Sequence, residues 1–201
     1  MINVLIADDQ ALVRGALAAL LGLEKDLTIV AEIGDGTALV DTARTSGANV
    51  ALIDIEMPGL DGIAATAALH AAVPECAAII VTTFGRPGYL KRAIEAGARG
   101  FLVKDTPPAA LADAIRRVHS GYRAIDPDLA EQSLFLPENP LTNREIEICR
   151  AAVTGSSTAE IARTLHLSPG TVRNHLSTII TKTQARNHYE AVRTAEENGW
   201  L

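Results

Sequence analysis

The chain has 201 residues with 48% hydrophobic and 21% charged side chains, the balance of a globular protein with a sizeable core. Its formal net charge of −6 argues against a nucleic-acid binder, but residues 138–201 alone carry seven basic and seven acidic side chains. Its two distant cysteines indicate free thiols. We expect a soluble, cytoplasmic protein without a signal peptide or a membrane partner, because no uncharged apolar run is long enough to span a bilayer.

Residues 1–120 alternate between short apolar runs and segments with helical spacing. Each apolar run has the length of a strand that is buried on both faces. The predicted strands cover residues 2–7, 27–33, 50–53, 77–81 and 99–103. The predicted helices cover residues 11–23, 37–45, 62–72, 89–96 and 107–120. Five strand–helix repeats predict an α/β domain with a five-stranded parallel sheet and helices on both faces.

Polar side chains directly follow, or end, four of these predicted strands. They are Asp8 and Asp9 after the first, Asp54 after the third, Thr82 after the fourth and Lys104 after the fifth. Right-handed crossovers bring the carboxyl ends of parallel strands to one edge of the sheet. The sequence therefore predicts that these five residues form a single site.

The residue types at this edge suit phosphoryl transfer to a carboxylate. Neighbouring carboxylates repel one another unless a cation joins them, and a few hard oxygen ligands suit Mg²⁺. Asp54 is the central carboxylate and can act as the nucleophile that forms an acyl phosphate. Lys104 offers a positive charge and Thr82 a hydroxyl to the phosphoryl oxygens. A purely structural interpretation stays open for both residues. Lys104 can be an ordinary salt-bridge partner, and Thr82 an ordinary β-branched residue of a strand.

Residues 1–120 resemble a response-regulator receiver domain, which has a flavodoxin-like or CheY-like fold. The resemblance implies that Asp54 accepts phosphate from the phosphohistidine of a sensor histidine kinase. It also implies that Asp9, Asp54 and the Glu56 backbone carbonyl bind Mg²⁺, with Asp8 acting through water. Phe101, three residues before Lys104, matches the switch aromatic of the family. Glu56 and Thr83 depart from the common pattern, and both positions bear on the rate of dephosphorylation.

The same resemblance implies a switch. Phosphorylation adds negative charge at Asp54, Thr82 moves toward the phosphate, and Phe101 turns inward. The repacked face then promotes formation of a homodimer. Apolar residues of the fifth helix are candidates for the dimer face, although a core-facing position is an equal alternative: Leu111, Ile115 and Val118.

The alternation of strands and helices ends after residue 120. Residues 121–139 contain prolines and acidic residues without sustained periodicity and are predicted to be a linker, with one short helix near 127–134. The last part, residues 140–201, has a helical pattern only. Thr142 and Glu145 form a capping box for a helix that reaches Val153 and stops at Gly155. Ser157 or Thr158 caps the next helix.

Ser168 and Pro169 open the third helix, and a fourth covers residues 187–198. The stretch GSSTAEIARTLHLSPGTVRNHL, together with LTNREIEI before it, resembles the four-helix, helix-turn-helix DNA-binding domain of the LuxR/NarL/FixJ class. The resemblance implies that the helix opened by Ser168 enters the major groove of an inverted-repeat operator. Arg173 and Asn174 suit base edges. The residues expected at the DNA are Thr158, Ser168, Thr171, Val172, Arg173, Asn174, Ser177 and Lys182.

The resulting hypothesis is a phospho-accepting transcription factor rather than an enzyme. Whether the protein removes its own phosphoryl group by autodephosphorylation is left open. TTFGRPGY and IEMPG also resemble the DesR-like branch of the family, whose member regulates a lipid desaturase in response to membrane state. One rival is a regulator that keeps the receiver shape without phosphorylation. Flavodoxin-like enzymes are disfavoured because the first loop is acidic where phosphate binding needs glycine. Haloacid-dehalogenase-type phosphatases are excluded by the adjacent carboxylates. A pure interaction module is disfavoured by the helix-turn-helix.

Overall fold

The computed structural model describes residues 1–83, 85, 87–135, 137–153 and 156–201. These residues form two compact units. One comprises Met1–Gly85 and Leu90–Glu131, and the other contains Gln132–Leu201 together with residues 87–89. No helix within the described residues is long and apolar enough to cross a membrane.

The first unit contains a parallel sheet of six described strands in the order β2-β1-β3-β4-β5-β6. The strands are buried because both faces of the sheet carry helices, as the continuous apolar runs predicted. For example, all four residues of β3 are at most 1% exposed. The strands are β1 Ile2–Ala7, β2 Leu27–Ile33, β3 Val50–Ile53, β4 Ala77–Thr82, β5 Gly100–Val103 and β6 Ala124–Ile125.

The sixth strand corrects the predicted count of five. β6 pairs with β5, and the backbone N–H groups of Ala124 and Asp126 donate to the carbonyl oxygens of Arg99 and Phe101 at 3.0 and 3.1 Å. A strand of two residues has no alternation that a sequence pattern can reveal, so these residues were assigned to the linker.

Helices cover the sheet and connect its strands. A single 3-10 turn, Gly36–Ala38, precedes the second helix. The α5 residues named as candidates for the dimer face are at most 2% exposed and belong to the core, which agrees with the core-facing alternative: Leu111, Ile115 and Val118. The helices are α1 Ala11–Leu21, α2 Leu39–Ser46, α3 Gly62–Ala72, α4 Pro87–Glu95, α5 Pro108–His119 and α6 Pro127–Ser133.

The second unit is helical, with a core that its own helices supply. Ile148, Val172 and Ile179 have no exposed surface and pack in one apolar cluster. The predicted capping box of Thr142 and Glu145 is present. Of the two predicted caps, Ser157 rather than Thr158 caps the second helix, and it forms a further capping box with Glu160. The predicted stop at Gly155 lies outside the described residues. The helices are α7 Asn143–Val153, α8 Thr158–Thr164, α9 Pro169–Thr183 and α10 His188–Glu197.

Candidate functional site

Three carboxylates meet at the carboxyl edge of the sheet. Strands β1 and β3 are neighbours in register, with Ala7 opposite Ile53, so the residues that follow them also lie side by side. One carboxylate oxygen from each of Asp8, Asp9 and Asp54 lies within 4.8 Å of the others. Asp8 and Asp54 are 2% and 3% exposed, whereas Asp9 faces solvent. This arrangement leaves one open side from which a ligand can approach.

Lys104 reaches the same cluster from the end of β5. Its Nζ lies 2.7 Å from Asp8 Oδ2 and 3.0 Å from Asp54 Oδ2. The salt bridge considered as a structural alternative therefore exists. It is compatible with a catalytic role, because the same ammonium lies next to the oxygen that would carry a phosphoryl group.

Burial and charge oppose each other at this site. Burial raises the pKa of the Asp54 carboxyl above its usual value, although the Lys104 ammonium pulls the pKa down. Burial would lower the pKa of Lys104, but hydrogen bonds and charges from Asp8 and Asp54 outweigh it and the net pKa is raised. Lys104 therefore stays cationic at neutral pH. Three acidic side chains meet one ammonium here, and a cluster of hard oxygen donors with more acids than bases fits a divalent cation such as Mg²⁺.

The loop after β3 fixes Asp54 tightly. The backbone N–H of Ile55 donates to Asp54 Oδ1 at 2.8 Å, and that of Gly62 donates to the Ile55 carbonyl at 2.9 Å. A Cβ at Gly62 would lie 1.9 Å from the Asp54 carbonyl oxygen, so only glycine fits there. Asp61 accepts hydrogen bonds from the N–H groups of Ile63 and Ala64 and so starts α3 immediately behind the acceptor.

Sequence reasoning missed Arg14, which holds the other side of the cluster. Its Nη1 donates to the Asp8 carbonyl oxygen at 2.5 Å, and its Nε lies 4.0 Å from Glu32 Oε2. The side chain thereby ties α1 to the loop that carries the acidic pair. A single arginine in a helical segment gives no sequence signal for such a contact.

The predicted switch residues lie on the adjoining strands. Thr82 ends β4 and is 2% exposed, and its carbonyl accepts a hydrogen bond from the Lys104 N–H at 2.8 Å. Phe101 has no exposed surface and lies between Ile80 and Ile125 in register. The expected inward rotation of Phe101 therefore has no outward starting position in this structure, because β6 places an apolar neighbour beside the ring and the ring is already packed inside.

Glu56 and Thr83, two departures from the receiver pattern, are both exposed in the loops that follow β3 and β4. A third departure is Asp105, which follows Lys104 where the family commonly has proline. Two positions of the TTFGRPGY stretch, Phe84 and Arg86, lie outside the described residues. The exposed positions of Glu56 and Thr83 leave both side chains accessible to water beside the candidate acceptor.

A second candidate surface lies on α9 of the helical unit. Ser168 caps this helix, accepting from the Thr171 N–H at 3.0 Å. Arg173, Asn174 and Ser177 are exposed on it. Val172 is fully buried in the core, so its expected contact with DNA is corrected: the apolar side chain packs inward because that face of α9 covers α7 and α10. Thr158 is half-buried at the first position of α8.

Lys182, expected at a DNA phosphate, instead lies 2.7 Å from Glu145 Oε2. Glu145 is 4% exposed and also accepts from the Thr142 N–H at 2.7 Å. Burial would raise the pKa of Glu145, but Lys182 and Thr142 outweigh it and hold the pKa below its usual value. The pair therefore ties α9 to α7 and leaves Lys182 only partly available to a ligand.

We expect Glu145→Gln to lower the free energy of unfolding of the helical unit by roughly 1–3 kcal/mol, since it leaves Lys182 without its buried partner. Denaturation followed by the fluorescence of Trp200, the single tryptophan, measures this effect. Because the folded pKa of Glu145 is lowered, its contribution is present above pH 4.5 and is lost as the pH falls through the folded value. Glu147→Gln, at an exposed residue paired with Arg144, is the matched control. Equal stability of the two variants would contradict the expectation.

Comparison with known proteins matches both units to families. Residues 4–116 match the response regulator receiver domain, and residues 139–195 match the bacterial regulatory proteins of the luxR family. The transcriptional regulatory protein DesR of Bacillus subtilis is 44% identical over 201 residues, with 100% of both chains covered. The transcriptional regulatory protein UhpA of Escherichia coli is 35% identical over 200 residues, again with 100% of both chains covered.

Solved structures agree with this assignment. The response regulator ChrA of a heme-sensing two-component system is 35% identical, with a TM-score of 0.59 and coverage of 100% of this chain and 98% of ChrA. The response regulator RcsB in its DNA complex is 25% identical, with a TM-score of 0.67 and 98% of both chains covered. The chain is thus a two-component response regulator. It belongs to the NarL/FixJ type, in which a receiver domain is joined to a luxR-family DNA-binding domain.

Proposed function

We propose that this protein is a transcription factor switched by phosphorylation of Asp54, which receives its phosphoryl group from a sensor histidine kinase. The observation that carries the proposal is the convergence of Asp8, Asp9, Asp54 and Lys104 at one sheet edge. In this proposal residues 1–120 are the receiver, 121–139 the linker and 140–201 the DNA-binding domain. The protein acts in the cytoplasm, where kinase and DNA are both accessible.

The residues present fit Mg²⁺, with Asp8, Asp9, Asp54 and the backbone carbonyl of Glu56 as its proposed ligands or water-mediated partners. When bound, Mg²⁺ supplies a charge that offsets the repulsion between the carboxylates and the incoming phosphoryl oxygens. The chain's own contribution is to hold these oxygens in place through the loops that follow β1 and β3.

The proposed transfer is an in-line displacement at phosphorus. A carboxylate oxygen of Asp54 forms the new O–P bond as the N–P bond to the kinase histidine breaks, and the imidazole nitrogen leaves with the bonding electron pair and is protonated. Lys104 stabilises the charge on a phosphoryl oxygen, and the Thr82 hydroxyl donates a second hydrogen bond. The raised pKa of Lys104 keeps this charge in place throughout.

The proposed DNA interface is the exposed face of α9. Arg173 suits the O6 and N7 atoms of a guanine, and Asn174 the N6 and N7 atoms of an adenine. Thr158, Ser168, Thr171 and Ser177 would contact the backbone, where polar groups set register. Lys182 retains a proposed phosphate contact through the part of its side chain that remains exposed. The neutral balance of charges in residues 138–201 predicts weak binding by a monomer, so pairing on an inverted repeat supplies the missing affinity.

For the dimer face we propose the groove between α1 and the start of α5. This groove has a volume of about 390 Å³ and is lined largely by apolar residues. Leu12 is 86% exposed beside it, which is unusual for a large apolar side chain on a helix of the first unit. Of the α5 residues named as candidates from the sequence, Leu111 lies at the floor of this groove, whereas Ile115 and Val118 do not line it.

We expect Leu12→Asp to raise the dissociation constant of the phosphorylated dimer by at least about tenfold, because it puts a charge in the apolar centre of the interface. Sedimentation of the phosphorylated protein measures the constant, and intact mass shows that phosphate still enters. Leu23→Asp, at a leucine that is 79% exposed but outside the groove, is the control. Equal weakening by both changes would contradict this choice of face.

The function as a whole is tested by selecting double-stranded DNA from a random library, with and without prior incubation in Mg²⁺ and acetyl phosphate. The expected result is enrichment of an inverted repeat by the phosphorylated protein and much weaker enrichment by the untreated protein. Recovery of no sequence preference by the phosphorylated protein would refute the DNA-binding half of the proposal.

A further inference from the structure

The short helix α6 is attached to the strand that carries the switch aromatic. Asp126 precedes the helix, and its Oδ1 accepts from the N–H groups of Asp128 and Leu129 at 3.0 and 3.1 Å. The Asp126 N–H in turn donates to the Phe101 carbonyl at 3.1 Å. The family match for DNA binding begins at residue 139, so α6 is the last helix before it. This segment was predicted to be a linker, yet its first half is bonded to β5.

A single side chain of α6 is buried. Among its seven residues only Leu129 belongs to the core, with 6% of its surface exposed. A Cβ at Gly85 would lie 2.9 Å from both methyl carbons of Leu129 and 2.9 Å from Val103 Cγ1. Gly85 therefore receives Leu129 in van der Waals contact. We call this contact, between Leu129 and Gly85 beside Val103, the α6 seat.

The α6 seat joins the ends of β4 and β5, the strands that lead to Thr82 and Lys104 at the candidate phosphorylation site. Gly85 lies three residues after Thr82, in the loop that follows β4, and Val103 directly precedes Lys104. The order of strands places β3, with Asp54 at its end, on one side of β4, and β5 and β6 on the other. A movement of the β4 end toward Asp54 is therefore a movement away from Leu129.

We propose that the α6 seat is a detector of phosphorylation: movement of Thr82 toward the phosphate withdraws Gly85 from Leu129 and releases α6. This inference rests on the proposed function, since it needs a phosphoryl group on Asp54. The approach is close, because even a Cβ on Gly85 would lie only 2.9 Å from both methyl carbons of Leu129, so a small displacement of the loop is enough to weaken the contact. Leu129 is the only one of the seven α6 side chains that is buried, so its withdrawal removes the apolar anchor of the helix.

Release of α6 changes what the DNA-binding part can reach. When α6 is seated, the last residue of the chain that is anchored in the first unit is Leu129. When α6 is released, the last anchored residues are Ala124 and Ile125 of β6, so the free connection to the DNA-binding domain becomes longer. The longer free connection allows two DNA-binding domains of a dimer to take up the spacing of an inverted repeat. Phosphorylation then acts on the chain between the domains as well as on the dimer face.

Hydrogen exchange of the α6 backbone amides, residues 128–133, tests the inference in the full-length protein. In the untreated protein, Leu129→Ala should speed exchange there by at least about tenfold, whereas Leu134→Ala, at a leucine that is 79% exposed in the same segment, should not. Acetyl phosphate with Mg²⁺ should produce the same acceleration in the wild-type chain. Untreated Leu129→Ala should also bind the selected DNA several-fold more tightly than the untreated wild type.

A second variant approaches the seat from its other side. Gly85→Ala places a methyl group against Leu129 and should release α6 as Leu129→Ala does. In the double variant the shortened side chain removes the clash with Leu129 and only the contact with Val103 remains, so the combined effect should be smaller than the sum of the two. Additive effects would show that Gly85 and Leu129 act on α6 separately and would overturn the seat.

Intact mass, recorded on the same samples, separates the two levels of the proposal. A phosphate on wild-type protein with unchanged α6 exchange overturns the detector but leaves the proposed function standing. Absence of any phosphate refutes the proposed function and the detector with it. Equal exchange in Leu129→Ala and Leu134→Ala overturns the assignment of Leu129 as the anchor, whatever the phosphate does.

Discussion

Replacement of Asp54 by Asn is expected to hold the protein in its low-affinity state for operator DNA, at least about tenfold weaker than the wild type when both are treated with Mg²⁺ and acetyl phosphate. The amide keeps the shape of the side chain but has no nucleophilic oxygen for phosphorus, and one negative charge disappears from the cluster. The expected tenfold difference in affinity follows from the usual coupling free energy between two sites of a protein, here the phosphorylation site and the DNA-binding surface, which is about 1–3 kcal/mol. Fluorescence anisotropy with the selected inverted repeat measures it.

The same chemical change elsewhere on the receiver provides the control. Asp41→Asn removes an exposed carboxylate from α2 that is not part of the acidic cluster, and this variant should respond to phosphate as the wild type does. A protein with Asn at position 54 that still gains affinity on treatment would refute Asp54 as the acceptor. Loss of response in both variants would point to a general effect of charge instead.

Replacement of Arg173 by Ala is the second large expectation. It should weaken binding to the selected operator by roughly 1–3 kcal/mol, about 5- to 150-fold, since a bidentate contact between arginine and guanine is worth that amount. Binding to unrelated DNA should change far less, because base contacts carry the sequence preference and backbone contacts do not. Titration of both DNAs at one fixed salt concentration measures the ratio.

Arg150 on α7 offers a matched arginine, exposed but outside the proposed interface. Arg150→Ala should lower affinity only slightly and equally for both DNAs, through its charge. If Arg173→Ala also weakened both DNAs equally, Arg173 would be a backbone contact and the proposed reading of guanine would be wrong.

The meeting of the acidic cluster and Lys104 could be predicted from the sequence because parallel topology leaves few alternatives. A buried apolar run fixes a strand, the crossover rule fixes its direction, and a polar residue after the strand then has one edge to occupy. The helix starts could be predicted for a different reason, because helix caps are local. Ser157, Ser168 and the pair Thr142–Glu145 bond to residues only a few positions away.

What could not be predicted depends on contacts between distant residues. β6 is too short for a pattern, and the contact of Leu129 with Gly85 joins positions that are 44 residues apart. Val172 was placed at the DNA because a single helical turn carries both core and surface residues, and only the packing of α9 decides between them. Phe101 is buried because β6 supplies Ile125 as a neighbour, and no local signal reveals that neighbour.

The central claim is that phosphate on Asp54 converts the chain into a dimer. The most direct test records intact mass and solution molecular weight together, on the wild-type protein with Mg²⁺ and acetyl phosphate. The account predicts the addition of one phosphoryl group and a shift from monomer to dimer in the same sample. No gain in mass, or a dimer that forms equally without phosphate, would contradict the account and favour a regulator that works without phosphorylation.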